Sequence, residues 1–489
     1  MRVRGLKSGE ASSPRRSGVA RLAPGLALLA LVACSGGGGG GGSQPLDRPD
    51  VFLVLLDDAH RAHADDLVET RHFLDSHGFA TVDFAHAYAT TPLCCPSRAS
   101  LLTGRYARNT GIRFNAEVPP GTPNGGAVGF AAAGLEDETL AVALRAAGYR
   151  THLFGKYLNN YDDVLPEGRV PPGWDVWHAR VRGLYTDYTL SEDGAVVAYG
   201  SADDDYLTDV LARAMRESIR SAPADVPLFV YFPSQAPHTP ALPAARHRAL
   251  HPGLEAPDTP NHPEADVSDK PSWVRGLAFT DEDEAAADRI HADGARCLAS
   301  VDEAIALAIA EFERAGRLDR LLVIVTNDNG YCAGSHGWGE KRVAYEESAS
   351  VTLRVASRDP RLVAASRGTD ALVGLIDVAP TLYEIAGIAP PAPVDGVSFA
   401  PILRGESDGM RDDLVLEYWS DESPQLAVPT WCGLVTAAPP RWKYVEIAGG
   451  EVELYALDSD PFELENLADR PEHAATRAAL ESLKRLRVP

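Results

Sequence analysis

A short segment near residue 100 holds a thiol and a guanidinium at a spacing suited to anion chemistry. It reads CCPSRASLLTG from Cys94 to Gly104. Pro96 suits the first turn of a helix, where its missing N–H costs little, and Gly104 suits the end of that helix. A helix start offers unpaired backbone N–H groups and partial positive charge, which favour an anion beside Cys94. Arg98 adds a planar guanidinium that matches a tetrahedral oxyanion.

Four apolar segments of strand length each end just before side chains that bind metals, anions or protons. The segments are residues 51–56, 149–154, 228–232 and 321–326. The side chains that follow them are, in order, Asp57 and Asp58, Lys156, His238, and Asp328 with Asn329. Continuous apolar segments are typical of strands buried on both faces. Because ligands bind beyond the carboxyl ends of such strands, we expect these side chains to lie together.

Helical patterns alternate with these strands, at residues 137–147, 207–219 and 281–315. This alternation predicts an α/β fold with a large, mostly parallel sheet flanked by helices on both faces. Shorter strand-like segments follow residue 405, at 414–418, 433–436, 442–447 and 453–457, before a last helix. We therefore expect one large domain at residues 48–405 and a small one at residues 406–489.

The acids and the amide beyond the strands favour a hard metal ion. Asp57, Asp58, Asp328 and Asn329 offer oxygen ligands, which suit Ca²⁺ or Mg²⁺ rather than zinc. Taken alone, each pair is as readily a helix cap or a tight turn. Among the histidines, His60 and His63 are interpreted as surface residues. Trp174 and Trp177 are interpreted as core residues rather than a platform for a sugar.

Composition limits the possible partners. The net charge of −23 at pH 7 excludes a nucleic-acid-binding protein, whose affinity depends on neutralising phosphates. The same charge repels anionic substrates at long range, so a site for one must concentrate its own cations. No Cys/His spacing typical of a metal site is present. Apart from Cys34 and Cys94, the cysteines are Cys95, Cys297, Cys332 and Cys432, and their spacing leaves three disulfide pairings open.

The N-terminus predicts export and attachment to a membrane. Residues 1–33 carry six basic residues and then a short apolar segment, too short to span a membrane, which is typical of a signal peptide. The sequence Leu-Val-Ala-Cys that ends at Cys34 resembles a bacterial lipoprotein box, which implies lipidation of Cys34. Residues 36–42 are all glycine, so residues 34–47 form a flexible tether. We expect a lipoprotein facing the periplasm or the cell surface; a plain secretory signal is the alternative.

The segment from Cys94 resembles the signature of the sulfatase family: a cysteine, any residue, Pro-Ser-Arg, three residues, then Leu-Thr-Gly. The resemblance implies an alkaline-phosphatase-like fold with a small antiparallel C-terminal subdomain. It implies that a formylglycine-generating enzyme oxidises Cys94 to formylglycine, an aldehyde used as its hydrate. It also implies a Ca²⁺ ion, with Mg²⁺ possible, whose protein ligands are Asp57, Asp58, Asp328, Asn329 and the modified side chain at 94.

The same resemblance extends to several basic residues. Lys156 matches a Gly-Lys motif, His238 a histidine after proline, and Lys341 a lysine beyond the Asp-Asn-Gly turn, while His336 is expected to support the site indirectly. Many sulfatases have Gly-Lys-aromatic-His, but here the residues after Lys156 are Tyr-Leu-Asn. Asn159 is therefore the candidate for the role of the missing histidine. This Gly-Lys-Tyr-Leu-Asn form resembles the branch that acts on 6-sulfated N-acetylglucosamine.

The resemblance implies a hydrolase of sulfate monoesters, acting on a sulfated sugar such as 6-O-sulfated N-acetylglucosamine. Its catalytic residues would be Cys94, Arg98, Lys156, His238 and Lys341, with His238 and Lys341 protonating the departing oxygen. The alternatives are an arylsulfatase or choline-sulfatase-like enzyme, a phosphomonoester or phosphonate hydrolase, and a non-catalytic glycan-binding lipoprotein.

Overall fold

The computed structural model describes residues 48–421 and 428–488, except for the side chains of residues 64 and 65. The predicted signal peptide, the lipidation site Cys34 and the glycine tract therefore lie outside the described residues. Within the described ranges, no helix is both long and apolar enough to cross a membrane.

The strands belong to two sheets, a large mixed one and a small antiparallel one. They are β1 (Asp50–Asp57), β2 (Ala80–Tyr88), β3 (Arg150–Gly155), β4 (Val176–Arg182), β5 (Thr189–Glu192), β6 (Ala195–Ala198), β7 (Leu228–Pro237), β8 (Leu321–Asn327), β9 (Ser350–Val351), β10 (Leu353–Ser357), β11 (Arg367–Gly374), β12 (Asp413–Tyr418), β13 (Trp431–Thr436), β14 (Trp442–Ile447) and β15 (Val452–Ala456).

The α-helices cover both faces of the large sheet, and the last of them follows the small sheet. They are α1 (Val68–Ser76), α2 (Cys94–Thr103), α3 (Ala107–Thr110), α4 (Gly126–Ala132), α5 (Leu140–Ala146), α6 (Leu207–Ser221), α7 (Ser272–Arg275), α8 (Asp281–Arg314), α9 (Glu346–Ala349), α10 (Val378–Ala386), α11 (Ala400–Leu403) and α12 (Ala474–Arg487).

The large sheet has the order β11-β2-β10-β8-β1-β7-β3-β4-β5-β6, and β9 pairs with β2. Its centre is the predicted parallel core, because β1 lies between β7 and β8, and β3 pairs with β7, all in parallel. All eight residues of β1 are buried, as a continuous apolar strand requires. Antiparallel strands flank this core, with β10 between β8 and β2 on one side and β5 and β6 on the other.

Local sequence explains where the helices begin and end. Thr139 accepts a hydrogen bond from Val142 N, so α5 begins at Leu140 and not at the predicted residue 137. Thr280 and Asp283 form a capping box at the start of α8, which runs for 34 residues. Gly104 ends α2 in the left-handed conformation, as predicted.

The small sheet has the order β12-β13-β14-β15, with antiparallel pairs throughout, which confirms the predicted C-terminal strands. It packs against the body of the protein through Tyr418, Trp431 and Tyr455, in a core that also includes Tyr345. No result tests the division at residue 405, which stays a prediction. Trp174 and Trp177 are buried in the main core, as predicted.

Candidate active site

The register of the central strands brings the acidic residues to one edge of the sheet. Leu56 of β1 is opposite Asn327 of β8, so the residues that follow each strand are neighbours. Asp58 N donates to Asp328 Oδ1 at 3.1 Å. Asp58 has a φ of 64°, a left-handed conformation that costs a non-glycine residue about 1–3 kcal/mol. Such strain is common where a turn holds functional side chains.

Strands β3 and β7 deliver the predicted lysine and histidine to the same edge. Lys156 N donates to Pro233 O of β7 at 2.7 Å, and His238 follows β7 directly. Gly155 makes this approach possible, because it has a φ of +136° and a Cβ there would lie 1.9 Å from Pro233 O. Only glycine fits this position without displacing the backbone.

Cys94 is the first residue of α2, and its side chain is fully buried. The next residue, Cys95, donates its backbone N–H to Asn115 Oδ1 at 2.9 Å, which satisfies one of the free donors at the helix start. The Cys94 Sγ lies 2.9 Å from Lys341 Nζ and 3.8 Å from Asp58 Oδ1. The helix thus holds the thiol against the acidic residues at the sheet edge.

Asp57, Asp58 and Asp328 form what we call the carboxylate cluster, and all three are buried. Each is paired with a basic side chain that the sequence had also singled out. The pairs, with their N–O distances, are Lys156 with Asp57 (2.5 Å), Lys341 with Asp58 (2.5 Å), and Arg98 with Asp328 (2.8 Å). Three carboxylates and three cations therefore balance one another at the edge of the sheet.

Two oxygen atoms of this site are left without a hydrogen-bond donor. Asn329 Nδ2 donates to Asp58 Oδ1 at 2.8 Å, but Asn329 Oδ1 is buried and has no partner. Asp57 Oδ1 is likewise buried without a donor, with Arg98 Nη2 no closer than 3.5 Å. Asp57, Asp58, Cys94 and His238 can also bring one ligand atom each within 4.8 Å of one another. Such oxygen atoms are suited to a hard cation.

Burial and charge act in opposite directions on the pKa values of the site. Burial alone would raise the pKa of Asp57, but Lys156 and His238 hold that pKa well below its ordinary value. Burial raises the pKa of the Cys94 thiol to about 12, so an unmodified thiol keeps its proton at neutral pH. Burial, with the charge of Asp57, raises the pKa of Asp328 to about 6.

His238 marks the opening of the site, since its side chain is 25% exposed. Its Nδ1 donates to Thr239 O at 2.5 Å, so Nε2 faces inward, 3.6 Å from Asp58 Oδ2. Burial lowers the pKa of His238, while Asp57 and Asp58 oppose that shift. The ring is therefore positioned to exchange a proton at Nε2.

Two residues that the sequence associated with the site have other contacts. The Asn159 side chain makes no hydrogen bond to Cys94 in the described structure; its Oδ1 is buried and unpaired, and its carbonyl accepts from Ala127 N. His336 donates to Glu264 Oε2 at 2.7 Å and stacks on Tyr345, and its backbone has a φ of 55°.

The interpretation of His60 and His63 as surface residues is wrong. Both are buried, and the His63 ring stacks on His291 with a centroid distance of 4.5 Å. Burial, with the charge of His291, lowers the pKa of His60 to about 3, so that ring is neutral. The sequence carries no sign of this group, because His291 comes from the distant helix α8.

The C-terminal region lines a cavity of about 420 Å³ near the site. Arg441, Leu457 and Phe462 form its wall on that side, and His60 and Arg61 line the other. His60 also lines a small cavity beside Asp58. The segments that flank the strands of the small sheet therefore contribute to a space whose size is typical of ligand pockets.

The profile of the sulfatase family matches residues 49–388, and that of the N-sulphoglucosamine sulphohydrolase C-terminal region matches residues 334–488. The N-acetylglucosamine-6-sulfatase of Capra hircus is 31% identical over 461 residues, covering 86% of this chain and 80% of that one. The human N-acetylglucosamine-6-sulfatase is 30% identical over 485 residues, covering 91% and 85%. The arylsulfatase of Volvox carteri is 30% identical over 457 residues, covering 82% and 68%.

Solved structures share the fold. The structure of BT4656 in complex with its substrate D-glucosamine-2-N,6-O-disulfate has a TM-score of 0.74 at 22% identity, covering 90% of this chain and 97% of that one. The phosphonate monoester hydrolase of Agrobacterium radiobacter has a TM-score of 0.67 at 23% identity, covering 90% and 95%. These likenesses show the alkaline-phosphatase-like architecture predicted from the sequence. Because the family profile matches most of this chain, the chain belongs to the sulfatase family and is a sulfuric ester hydrolase.

Proposed function

We propose that this sulfatase removes the 6-O-sulfate of glucosamine or N-acetylglucosamine units in sulfated glycans. The observation that carries the sulfate chemistry is the placement of Arg98, Lys156 and Lys341 around the buried Cys94. The choice of sugar is supported by the two N-acetylglucosamine-6-sulfatases that resemble the chain over most of both lengths. The Gly-Lys-Tyr-Leu-Asn sequence at residues 155–159 supports the same branch.

The nucleophile in this proposal is formylglycine made from Cys94. As a hydrate it carries two hydroxyls on one carbon: one displaces the sugar alcohol from sulfur, and the other, on deprotonation, expels sulfate and restores the aldehyde. The residues around Cys94 support such a role. Lys341 Nζ, 2.9 Å from the Cys94 Sγ, is positioned to stabilise negative charge on an oxygen attached at that carbon.

We further propose that Asp57, Asp58, Asp328 and Asn329 hold a divalent cation, Ca²⁺ or Mg²⁺. The unpaired oxygens Asn329 Oδ1 and Asp57 Oδ1 fit this role, because buried carboxylate and amide oxygens are ligands of hard cations. The charge balance supports it as well. Three carboxylates offset three basic groups, so the chain alone offers no net positive charge to a sulfate ester. A divalent cation would supply that charge when bound.

The other groups of the site bind the sulfate and move protons. Arg98, Lys156 and Lys341 would bind sulfate oxygens and stabilise the charge that grows on them in the transition state. His238 would give a proton from Nε2 to the departing sugar oxygen when the ring is doubly protonated, a form that Asp57 and Asp58 favour, since that nitrogen faces the carboxylate cluster from the open side. The thiol of Cys95 contacts the backbone of Asn159 and Gly126 and has no part in this scheme.

Mass spectrometry of the tryptic peptide spanning residue 94, combined with kinetics, tests the proposal. We expect the peptide to carry the aldehyde, and the enzyme to hydrolyse N-acetylglucosamine-6-sulfate faster than the corresponding 6-phosphate. Cys94→Ala should abolish turnover, whereas Cys95→Ala should retain both the aldehyde and activity. An unmodified thiol in active enzyme would refute the nucleophile. A faster rate on the phosphate would favour a phosphomonoester or phosphonate hydrolase.

We also propose that the protein is exported and held at a membrane by lipidation of Cys34. The apolar segment that ends at Cys34 and the glycine tract after it support this location. Fractionation of cells that express the full chain tests it. The wild type should sediment with membranes and Cys34→Ser should appear in the soluble fraction; an unchanged distribution would refute the anchor.

A further inference from the structure

Arg180 is a partly buried cation without a carboxylate partner. Its Nη1 donates to Gly183 O at 2.8 Å, and its Nε is buried without a hydrogen-bond acceptor. In the described part of the chain, no ion pair joins Arg180 to an aspartate or a glutamate. Burying a charge without a counterion is costly, so a site that does so is suited to an anionic ligand.

The sheet register places Arg180 beside the active site. Gly155 of β3 is opposite Ala179 of β4, so Lys156 and Arg180 are the next residues on two neighbouring parallel strands. Adjacent strands lie about 4.8 Å apart. Lys156 Nζ in turn contacts Asp57 Oδ2 at 2.5 Å, so Arg180 lies one strand from the carboxylate cluster. Arg180 therefore lies one strand outward from the residues assigned to sulfate.

Other arginines of the region differ in their partners. Arg98 is paired with Asp328 and Asp57, which raise its pKa, whereas burial lowers the pKa of Arg180. Arg182, two residues further along β4, pairs with Glu167 at 2.5 Å. Arg113, also without an ion pair among the described residues, lies 4.8 Å over the Trp419 ring. These contacts leave Arg180 as the unmatched charge next to Lys156.

We infer that Arg180 binds a second anionic group, carried by the same sugar whose sulfate ester is hydrolysed. This inference rests on the proposed function and adds the substrate class: glucosamine units that bear an N-sulfate or a further O-sulfate besides the 6-O-sulfate. A guanidinium suits such a group, because its planar donors match two oxygens of a tetrahedral anion.

The position of Arg180 argues against a role on the transferred sulfate itself. Lys156, Lys341 and Arg98 all contact the carboxylate cluster, and Arg180 contacts none of its three members at hydrogen-bond distance in the described structure. Its place one strand from Lys156 favours a group carried by the same sugar over one on a distant part of a polymer.

Kinetics on two substrates test the inference. The probes are glucosamine-2-N,6-O-disulfate and N-acetylglucosamine-6-sulfate, which differ in the second anionic group. For the wild type we expect a higher kcat/KM on the disulfate. In Arg180→Gln the ratio of the two kcat/KM values should fall roughly 10- to 100-fold, the effect of losing one hydrogen bond between charged groups.

Arg182→Gln is the matched control, because it removes a guanidinium two residues further along β4, and that guanidinium already has a carboxylate partner. Its ratio should equal that of the wild type. Arg180→Lys should restore part of the preference, since it keeps the charge and loses the planar fork. Thermal unfolding of each variant will show whether Arg180→Gln is folded; if it is not, Arg180→Lys and Arg180→Met provide the comparison.

The outcomes separate this inference from the proposed function. Equal losses on both substrates, or no loss on either, would overturn the role of Arg180 while leaving the 6-sulfatase activity established. Failure of the wild type to hydrolyse either sugar would overturn the proposed substrate, and the role of Arg180 with it. A change in ratio for Arg182→Gln as large as that for Arg180→Gln would also overturn the inference.

Discussion

Lys341 and Cys94 are 247 residues apart in the chain, yet the Lys341 Nζ lies 2.9 Å from the Cys94 Sγ. The same nitrogen contacts both carboxylate oxygens of Asp58, at 2.5 and 2.6 Å. One ammonium group therefore joins the position of the nucleophile to the carboxylate cluster. Burial would lower the pKa of Lys341, but Asp58 and its neighbours raise that pKa well above its ordinary value, so the charge is kept.

Replacing Lys341 with methionine should reduce kcat far more than it changes the fold. The variant loses the positive charge beside Cys94, and loss of one preorganised group of this kind costs about 10²–10³ in kcat. The rate of N-acetylglucosamine-6-sulfate hydrolysis measures the effect. Lys484→Met is the control, since Lys484 pairs with Glu446 in the C-terminal region. A Lys341→Met enzyme within threefold of the wild type would contradict this role.

Activity and metal content should be lost together when the carboxylate cluster is altered. Asp328→Asn keeps an oxygen for the Asp58 N–H but removes a negative charge, so a divalent cation would bind more weakly. We expect less bound metal by elemental mass spectrometry and a kcat lower by about 100-fold. Dialysis of the wild type against a chelator should abolish activity.

Re-addition of Ca²⁺ or Mg²⁺ to the dialysed enzyme will identify the ion by the activity it restores. Asp370→Asn is the matched control, because the Asp370 side chain is 94% exposed and lies away from the cluster. Full activity after removal of all divalent cations would show that the oxygen ligands serve another purpose.

Much of the site could be predicted because its members follow strands. Asp57, His238 and Asp328 each come just after an apolar segment, and parallel strands with a common direction must bring those positions together. The signature from Cys94 to Gly104 predicted a helix, and α2 spans that segment. The apolar period of a helix or strand, its length and the residues at its ends are local properties, so they can be read directly from the sequence.

Features that depend on distant pairing could not be predicted. The antiparallel strand β10 has no local mark of its direction, although it lies between β8 and β2. The stacking of His63 on His291 requires α8 to cross the turn after β1, which no spacing reveals. The position of Arg180 beside Lys156 likewise depends on the register of β3 and β4, which the sequence does not show. The contact between His336 and Glu264, 72 residues apart in the chain, has no local sign in the sequence either.

Gly155→Ala should destabilise the protein and displace Lys156. A Cβ at residue 155 would lie 1.9 Å from Pro233 O, and the φ of +136° is unfavourable for alanine. We expect a loss of about 2–4 kcal/mol in the free energy of unfolding, measured with denaturant, together with reduced kcat. Gly368→Ala is the control, because no atom lies within 4 Å of its Cβ position. Equal stability of both variants would contradict the close approach of β3 and β7.

A buried glutamate between the two sheets should make stability depend on pH. Burial raises the pKa of Glu463 to about 8, and Glu346 and Glu347 add to this effect, while Lys443 opposes it. In the unfolded chain the ordinary value is about 4.5. Between these two values the folded protein holds a proton that the unfolded chain releases. The contribution of Glu463 to stability is therefore full below pH 4.5 and is lost as the pH rises toward 8.

Glu463→Gln should remove this dependence, because glutamine resembles the protonated acid at every pH. The amide oxygen can still accept from Glu346 N, and Lys443 keeps its 2.8 Å contact with Glu346. Relative to the wild type, the variant should therefore become steadily more stable from pH 5 to pH 8, which its melting temperature will show. The difference in the free energy of unfolding should change by at most about 1.4 kcal/mol per pH unit. Glu465→Gln, at an exposed position paired with Arg470, is the control for replacing a glutamate in the same segment. If the Glu463→Gln difference does not vary with pH, Glu463 is already ionised in the folded protein, and the ion pair with Lys443 outweighs its burial.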